Sequence, residues 1–137
     1  MASEAPTLYP LMRYRDAPRA IAFLKEAFGF REREVIANED GTIAHAELSY
    51  GPSILMLGSD RDDLPRAGLG WIYVAVDDPD GHCGRARAAG AEIITEPYDT
   101  DYSSREYAAR DAEGNRWEFG SYRPAAEPSE TSPSALS

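Results

Sequence analysis

Cysteine is almost missing from this chain: Cys83 stands alone among 137 residues, so no internal disulfide is possible. It sits among Gly81, Gly84, Ala86 and Ala89 with no paired base nearby, which suits a small buried hydrophobe better than a nucleophile. Long hydrophobic runs are missing too. No stretch approaches the roughly 20 apolar residues a membrane span requires, and the N-terminus carries no basic segment followed by an apolar core. A cytoplasmic protein without a membrane partner is the expectation. Positive charge is scarce: 14 Lys and Arg against 24 Asp and Glu give a formal charge of −10 and a pI near 4.6. That balance argues against a nucleic-acid surface, which needs clustered Lys and Arg, and leaves neutral or cationic small molecules open. The acidic groups Asp60, Asp62, Asp63 and Asp77, Asp78, Asp80 read as solvated loops.

What the chain does have is a repeat. Asp16-Ala17-Pro18 is followed by Gly29, and 61 residues later Asp77-Asp78-Pro79 is followed by Gly90. Each copy starts with a short apolar run (Tyr9 to Tyr14, Trp71 to Val76) that reads as a strand. A carboxylate then caps a helix start, proline fits the first turn, and glycine stops the helix where a left-handed backbone is wanted. Neither copy is long enough to bury a core alone, so the spacing predicts a duplicated fold whose halves share a cavity. With 42% apolar residues the chain supports one domain. The expected limits are a loose lead-in at 1–6, module one at 7–58, a linker at 59–69, module two at 70–123 and a polar, proline-rich tail at 124–137.

Within module one the pattern predicts a helix from Pro18 to Phe28 and strands at Arg31 to Ala37, Thr42 to Tyr50 and Ser53 to Leu57. Module two repeats the order with a helix at 79–89 and strands at Glu92 to Thr95, Arg105 to Asp111 and Arg116 to Tyr122. The expected class is α+β: two βαβββ modules forming a curved mixed sheet around a cavity, helices outside. Period-two alternation puts Ile72, Val74 and Val76 under a helix and Trp71, Tyr73 and Ala75 on the other face. Trp117 and Phe119 oppose Arg116 and Glu118. Ala44, Ala46 and Leu48 oppose Ile43, His45, Glu47 and Ser49. Tyr9, His45, Glu47, Trp71 and Glu118 become candidates for a single concave face.

Three phrases then point further. The run Tyr14-Arg15-Asp16-Ala17-Pro18-Arg19-Ala20-Ile21-Ala22-Phe23-Leu24, its ending Phe28-Gly29-Phe30, and Arg110-Asp111-Ala112-Glu113-Gly114-Asn115-Arg116-Trp117-Glu118-Phe119 resemble the vicinal oxygen chelate superfamily, over roughly residues 7 to 123. That superfamily includes glyoxalase I, extradiol dioxygenases, fosfomycin-modifying enzymes and bleomycin-resistance proteins. The resemblance implies one metal ligand on each of four strands, falling on Tyr9, Glu47, Trp71 and Glu118. Both histidine positions have become large aromatics, and an indole has no lone pair to give a metal. The bleomycin-resistance branch therefore supplies the leading expectation: a metal-free, non-enzymatic protein, dimeric with itself, that sequesters a small aromatic or cationic antibiotic-like molecule. Tyr9, Trp71, Tyr73, Tyr102 and Tyr107 would line the pocket, with His45, Glu47, Arg105 and Glu118 as its polar members; aromatic faces stack on planar rings and attract cations. The alternative is an enzyme of the glyoxalase or dioxygenase kind, holding one divalent metal ion on His45, Glu47 and Glu118 to polarise a vicinal pair of substrate oxygens. A third reading is a dimer with a vestigial cavity.

Overall fold

The computed structural model describes residues 9–61 and 70–124. The lead-in, the linker beyond Arg61 and the tail beyond Pro124 lie outside the described residues. Module one runs β1 (Leu11–Tyr14), α1 (Ala17–Phe23) with a π turn (Leu24–Phe28), β2 (Arg31–Ala37), β3 (Ile43–Tyr50) and β4 (Ser53–Ser59). Module two runs β5 (Trp71–Ala75), α2 (Pro79–Ala88), β6 (Glu92–Asp99), β7 (Arg105–Arg110) and β8 (Arg116–Gly120).

Each module makes its own four-stranded mixed sheet, ordered β1-β4-β3-β2 and β5-β8-β7-β6. The α+β class and the duplication are thus both present, with two sheets instead of one within the chain. The parallel pairs, β1 with β4 and β5 with β8, are those whose strands a helix connection separates. The helix starts repeat as the spacing implies, with one shift. Asp16 accepts the Arg19 N–H at 3.1 Å, but in module two the cap is Asp78, accepting the Gly81 N–H at 3.1 Å, and not Asp77. Gly29 and Gly90 close the helices with φ of 88° and 95°, values that favour glycine.

One core serves both modules. Met12, Tyr14, Ala46, Leu48, Leu55 and Leu57 face it from the first sheet, and Tyr107, Ala109, Trp117 and Phe119 from the second. Phe28 lies between them, its ring 5.3 Å from Trp117 and 4.9 Å from Phe119. Polar ties cross the same boundary. The Tyr14 hydroxyl donates to the Asp111 carboxylate at 2.7 Å, and the Glu113 carboxylate accepts the N–H groups of Arg15 and Asp16. Because the two sheets look inward at this shared core, their other faces look outward, away from each other. Ile43 breaks the expected alternation on β3: it is buried and Ala44 exposed, because the ladder passes from Ile36↔His45 to Ala37↔Ile43 and leaves Ala44 as a bulge.

Candidate functional site

On β5 the expected facing holds. Trp71 is 68% exposed, whereas Ile72 and Val74 pack against the core. The register of the second sheet pairs Tyr73 with Glu118 and Glu118 with Ala108, so these three share the outer face. Glu106, two residues before Ala108 on β7, shares it too. Together with Tyr102, Tyr122 and Pro124, the side chains of Tyr73, Glu106 and Glu118 line a basin of about 480 Å³. Tyr102 and Tyr122 meet edge to face, ring centroids 5.7 Å apart at 88°, and form one corner of it. Tyr73 donates its hydroxyl to the Tyr122 carbonyl at 2.7 Å. Burial, and after it the charge of Glu106, raise the Tyr73 phenol above its ordinary value. Arg116 grips Glu118 at 2.9 Å and lies over the Trp71 ring, 5.0 Å from its centroid, and the indole stays largely exposed. A second cavity of about 610 Å³ is lined from both modules, chiefly by apolar residues such as Phe30, Ile54, Ile72 and Trp117. Tyr73 lines both, so the two adjoin.

The remaining candidates from the sequence fall elsewhere. Tyr107 is in the core at 1% exposure, because its partner across the ladder is Phe119 and not an outward residue. Its phenol is pushed far above the ordinary range by burial and donates to His82 at 2.6 Å. Arg105 turns to Asp80 and Asp99, at 3.1 and 3.2 Å. His45 and Glu47 lie on the first sheet, bonded to each other at 3.0 Å, with Arg33 3.0 Å from the other Glu47 oxygen. These bonds, that of His45 first, hold the Glu47 carboxyl below its ordinary value. Tyr9 precedes β1 and is exposed. The single concave face expected from alternation is therefore two faces in one chain. Glu106, Tyr122 and Arg116 were not among the expected residues. For Glu106 the reason is the choice of face: alternation along β7 fits either one, and aromatic Tyr107 drew the wrong parity.

The fold's own symmetry also relocates one metal position. Tyr73, two residues after Trp71, pairs with Glu118; Leu11, two residues after Tyr9, pairs with Met56. The counterpart of Glu118 in module one is thus Met56, and Glu47 is its neighbour on the next strand. The set at the four equivalent positions is then a phenol, a thioether, an indole and one carboxylate, which does not fit a divalent ion of the Zn or Ni kind. Among the described residues, the one group of three donors within 4.8 Å of one another is Glu34, His45 and Glu47, on adjacent strands of the first sheet. Glu118 is not part of it.

The chain belongs to the glyoxalase/bleomycin resistance protein/dioxygenase superfamily, whose pattern matches residues 8–119. Among solved structures it is similar to TioX from Micromonospora sp. ML1, at 34% identity and a TM-score of 0.73, with 85% of this chain and 98% of that one covered. The fold also recurs in TnmS3, an antibiotic binding protein from Streptomyces sp. CB03234, at 19% identity and a TM-score of 0.68, covering 87% and 97%. An uncharacterised protein of Mycobacterium bovis is 30% identical over 128 residues, spanning 84% of this chain and 82% of its own. Among the described residues no helix is long and apolar enough to cross a membrane.

Proposed function

We propose that the protein is a metal-free binder that sequesters a small planar aromatic molecule, of antibiotic type, on the outer face of its second sheet. One observation carries this reading: the basin joins three tyrosine side chains to two carboxylates on one outer sheet face, the mixture of apolar walls and few polar groups that small-molecule sites use. The antibiotic-binding description of TnmS3, which shares the fold, supports it. The outer faces of the two sheets look away from each other, so a cavity enclosed by both would need two chains. A homodimer that sets Tyr9 and Leu11 of one copy opposite Trp71 and Tyr73 of the other satisfies that need, and the exposure of Leu11 and Trp71 favours it.

Titration with planar aromatic antibiotics, followed by tryptophan fluorescence, tests the reading. Trp71 should be quenched while Trp117, buried in the core, responds less. Stacking on one ring is worth about 1 kcal/mol beyond its buried area, so Trp71→Ala should weaken binding at least tenfold, roughly 1.4 kcal/mol, and leave the fold intact. If no compound quenches, or Trp71→Ala binds like the parent, the sequestration reading gives way to a vestigial cavity.

A further inference from the structure

Glu106 is a carboxylate at 7% exposure. Its hydrogen-bond partner is the Tyr102 hydroxyl, 2.9 Å from Oε2, and among the described residues no Lys, Arg or His pairs with it. Its neighbour in the basin is treated differently, since Glu118 has the Arg116 guanidinium at 2.9 Å. A carboxylate taken out of water calls for a cation or hydrogen-bond donors in exchange, and a sequence that leaves one short of them does so at functional sites more than elsewhere. The local backbone is also shaped around it. Glu106 pairs directly with Gly120, and a Cβ at that position would sit 2.6 Å from the Glu106 Cγ and 2.7 Å from the Tyr73 hydroxyl oxygen. Glycine there is what lets carboxylate and phenol close over the strand. Around them stand the Tyr102 and Tyr122 rings, whose faces attract cations, on a chain of net charge −10 that concentrates cations near its surface.

We propose that Glu106 is the seat of a ligand ammonium group, so that the molecules this basin selects are planar aromatics bearing a protonated primary or tertiary amine. The proposal rests on the sequestration reading and narrows it: the ring system stacks near Trp71 and Tyr73, and the amine, caged by the tyrosines, supplies the cation that Glu106 lacks.

Three forms of one probe separate the contributions: daunorubicin, which carries a primary ammonium; its N-acetyl derivative, which keeps the sugar and loses the charge; and its aglycone. The ammonium form should bind at least tenfold tighter than either neutral form, and the advantage should vanish in Glu106→Gln and shrink in 0.5 M NaCl. The comparison on the unaltered protein stands even if the variant folds poorly. Equal binding of the three forms would overturn the ammonium site and leave sequestration of a planar aromatic in place, as would an undiminished advantage in folded Glu106→Gln. If none binds, the ammonium site falls, and the sequestration reading is decided by the wider set of planar aromatic antibiotics.

Discussion

His82 ties the modules together through Tyr107: Nδ1 lies 2.6 Å from the Tyr107 hydroxyl of its own module, and Nε2 lies 3.0 Å from the Phe28 carbonyl of the other. A carbonyl only accepts, so Nε2 carries the hydrogen, Nδ1 is left with its lone pair, and the phenol donates. The neutral ring satisfies both neighbours. Protonation would put a hydrogen on Nδ1 against a phenol that is already the donor.

Stability should therefore fall as pH drops below neutrality. Burial lowers the His82 pKa from its ordinary 6.5, against the opposing pull of the Phe28 carbonyl. Below pH 6.5 the unfolded chain takes up a proton that the folded chain refuses, so the loss begins there and continues down to the folded value. The slope for one proton is at most about 1.4 kcal/mol per pH unit. Urea unfolding at pH 7, 6 and 5 should show the parent losing more than His82→Gln over this interval; parallel losses would count against it.

Asp111 is the second tie. Buried at the β7–β8 turn, it accepts hydrogen bonds from the Tyr14 hydroxyl, the Trp117 indole N–H at 3.1 Å, the Asn115 amide and the backbone of residues 113 and 115. Tyr14→Phe removes one bond to a buried charge and should cost about 2 kcal/mol; Asp111→Asn turns an amide donor toward other donors and should cost about 3 kcal/mol. Chemical denaturation measures both, and losses under 0.5 kcal/mol would mean that the network is not what joins the modules.

Metal content should be substoichiometric. In the Glu34, His45, Glu47 group both Glu47 oxygens are already engaged, by His45 and by Arg33, whose guanidinium stands close to where an ion would go. Dialysis against Zn, Ni, Mn and Fe followed by elemental analysis checks this. One ion per chain, lost in His45→Ala, would revive the metal-enzyme reading, although on a ligand set without Glu118.

The sheet edges specify how two copies should meet. The outer edge β2 begins Arg31-Glu32-Arg33-Glu34, all exposed, and β6 carries Glu92, Glu96 and Pro97 with ladder irregularities, features that discourage strand addition. The opposite edges β1 and β5 present Leu11 and Trp71, and the charge on β1 is folded away, Arg13 donating to the Ser59 carbonyl at 2.9 Å. Leu11→Glu should thus yield a folded monomer by sedimentation where the parent sediments as a dimer. A monomeric parent would remove the dimer from the proposed function.

Most of the fold could be read from the chain because capping and alternation are local: Asp16, Pro18, Gly29 and the Trp117/Phe119 spacing each announce their conformation within a few residues. For the candidate residues, the facing was legible only where one strand decided it, as with Tyr73 and Glu118. Where a face is set by the strand next door the reading slipped, and Tyr107 went to the wrong side because its burial depends on Phe119, twelve residues away. That His45 and Glu47 occupy a different sheet from Glu118 depends on how the modules pack, for which no local pattern exists.

The π turn at Leu24–Phe28 gives the first helix an exact length. Five-residue spacing is what lets Phe23 and Phe28 meet edge to face, centroids 5.3 Å apart, while Phe28 reaches Trp117 and Phe119 in the other module. Removing one residue from this turn would produce a more regular helix and yet swing Phe28 by about 100° out of the core. The segment is therefore intolerant of deletion for a reason separate from its side chains: the exposed Lys25 and Glu26 can be exchanged, but the number of residues in the turn cannot change.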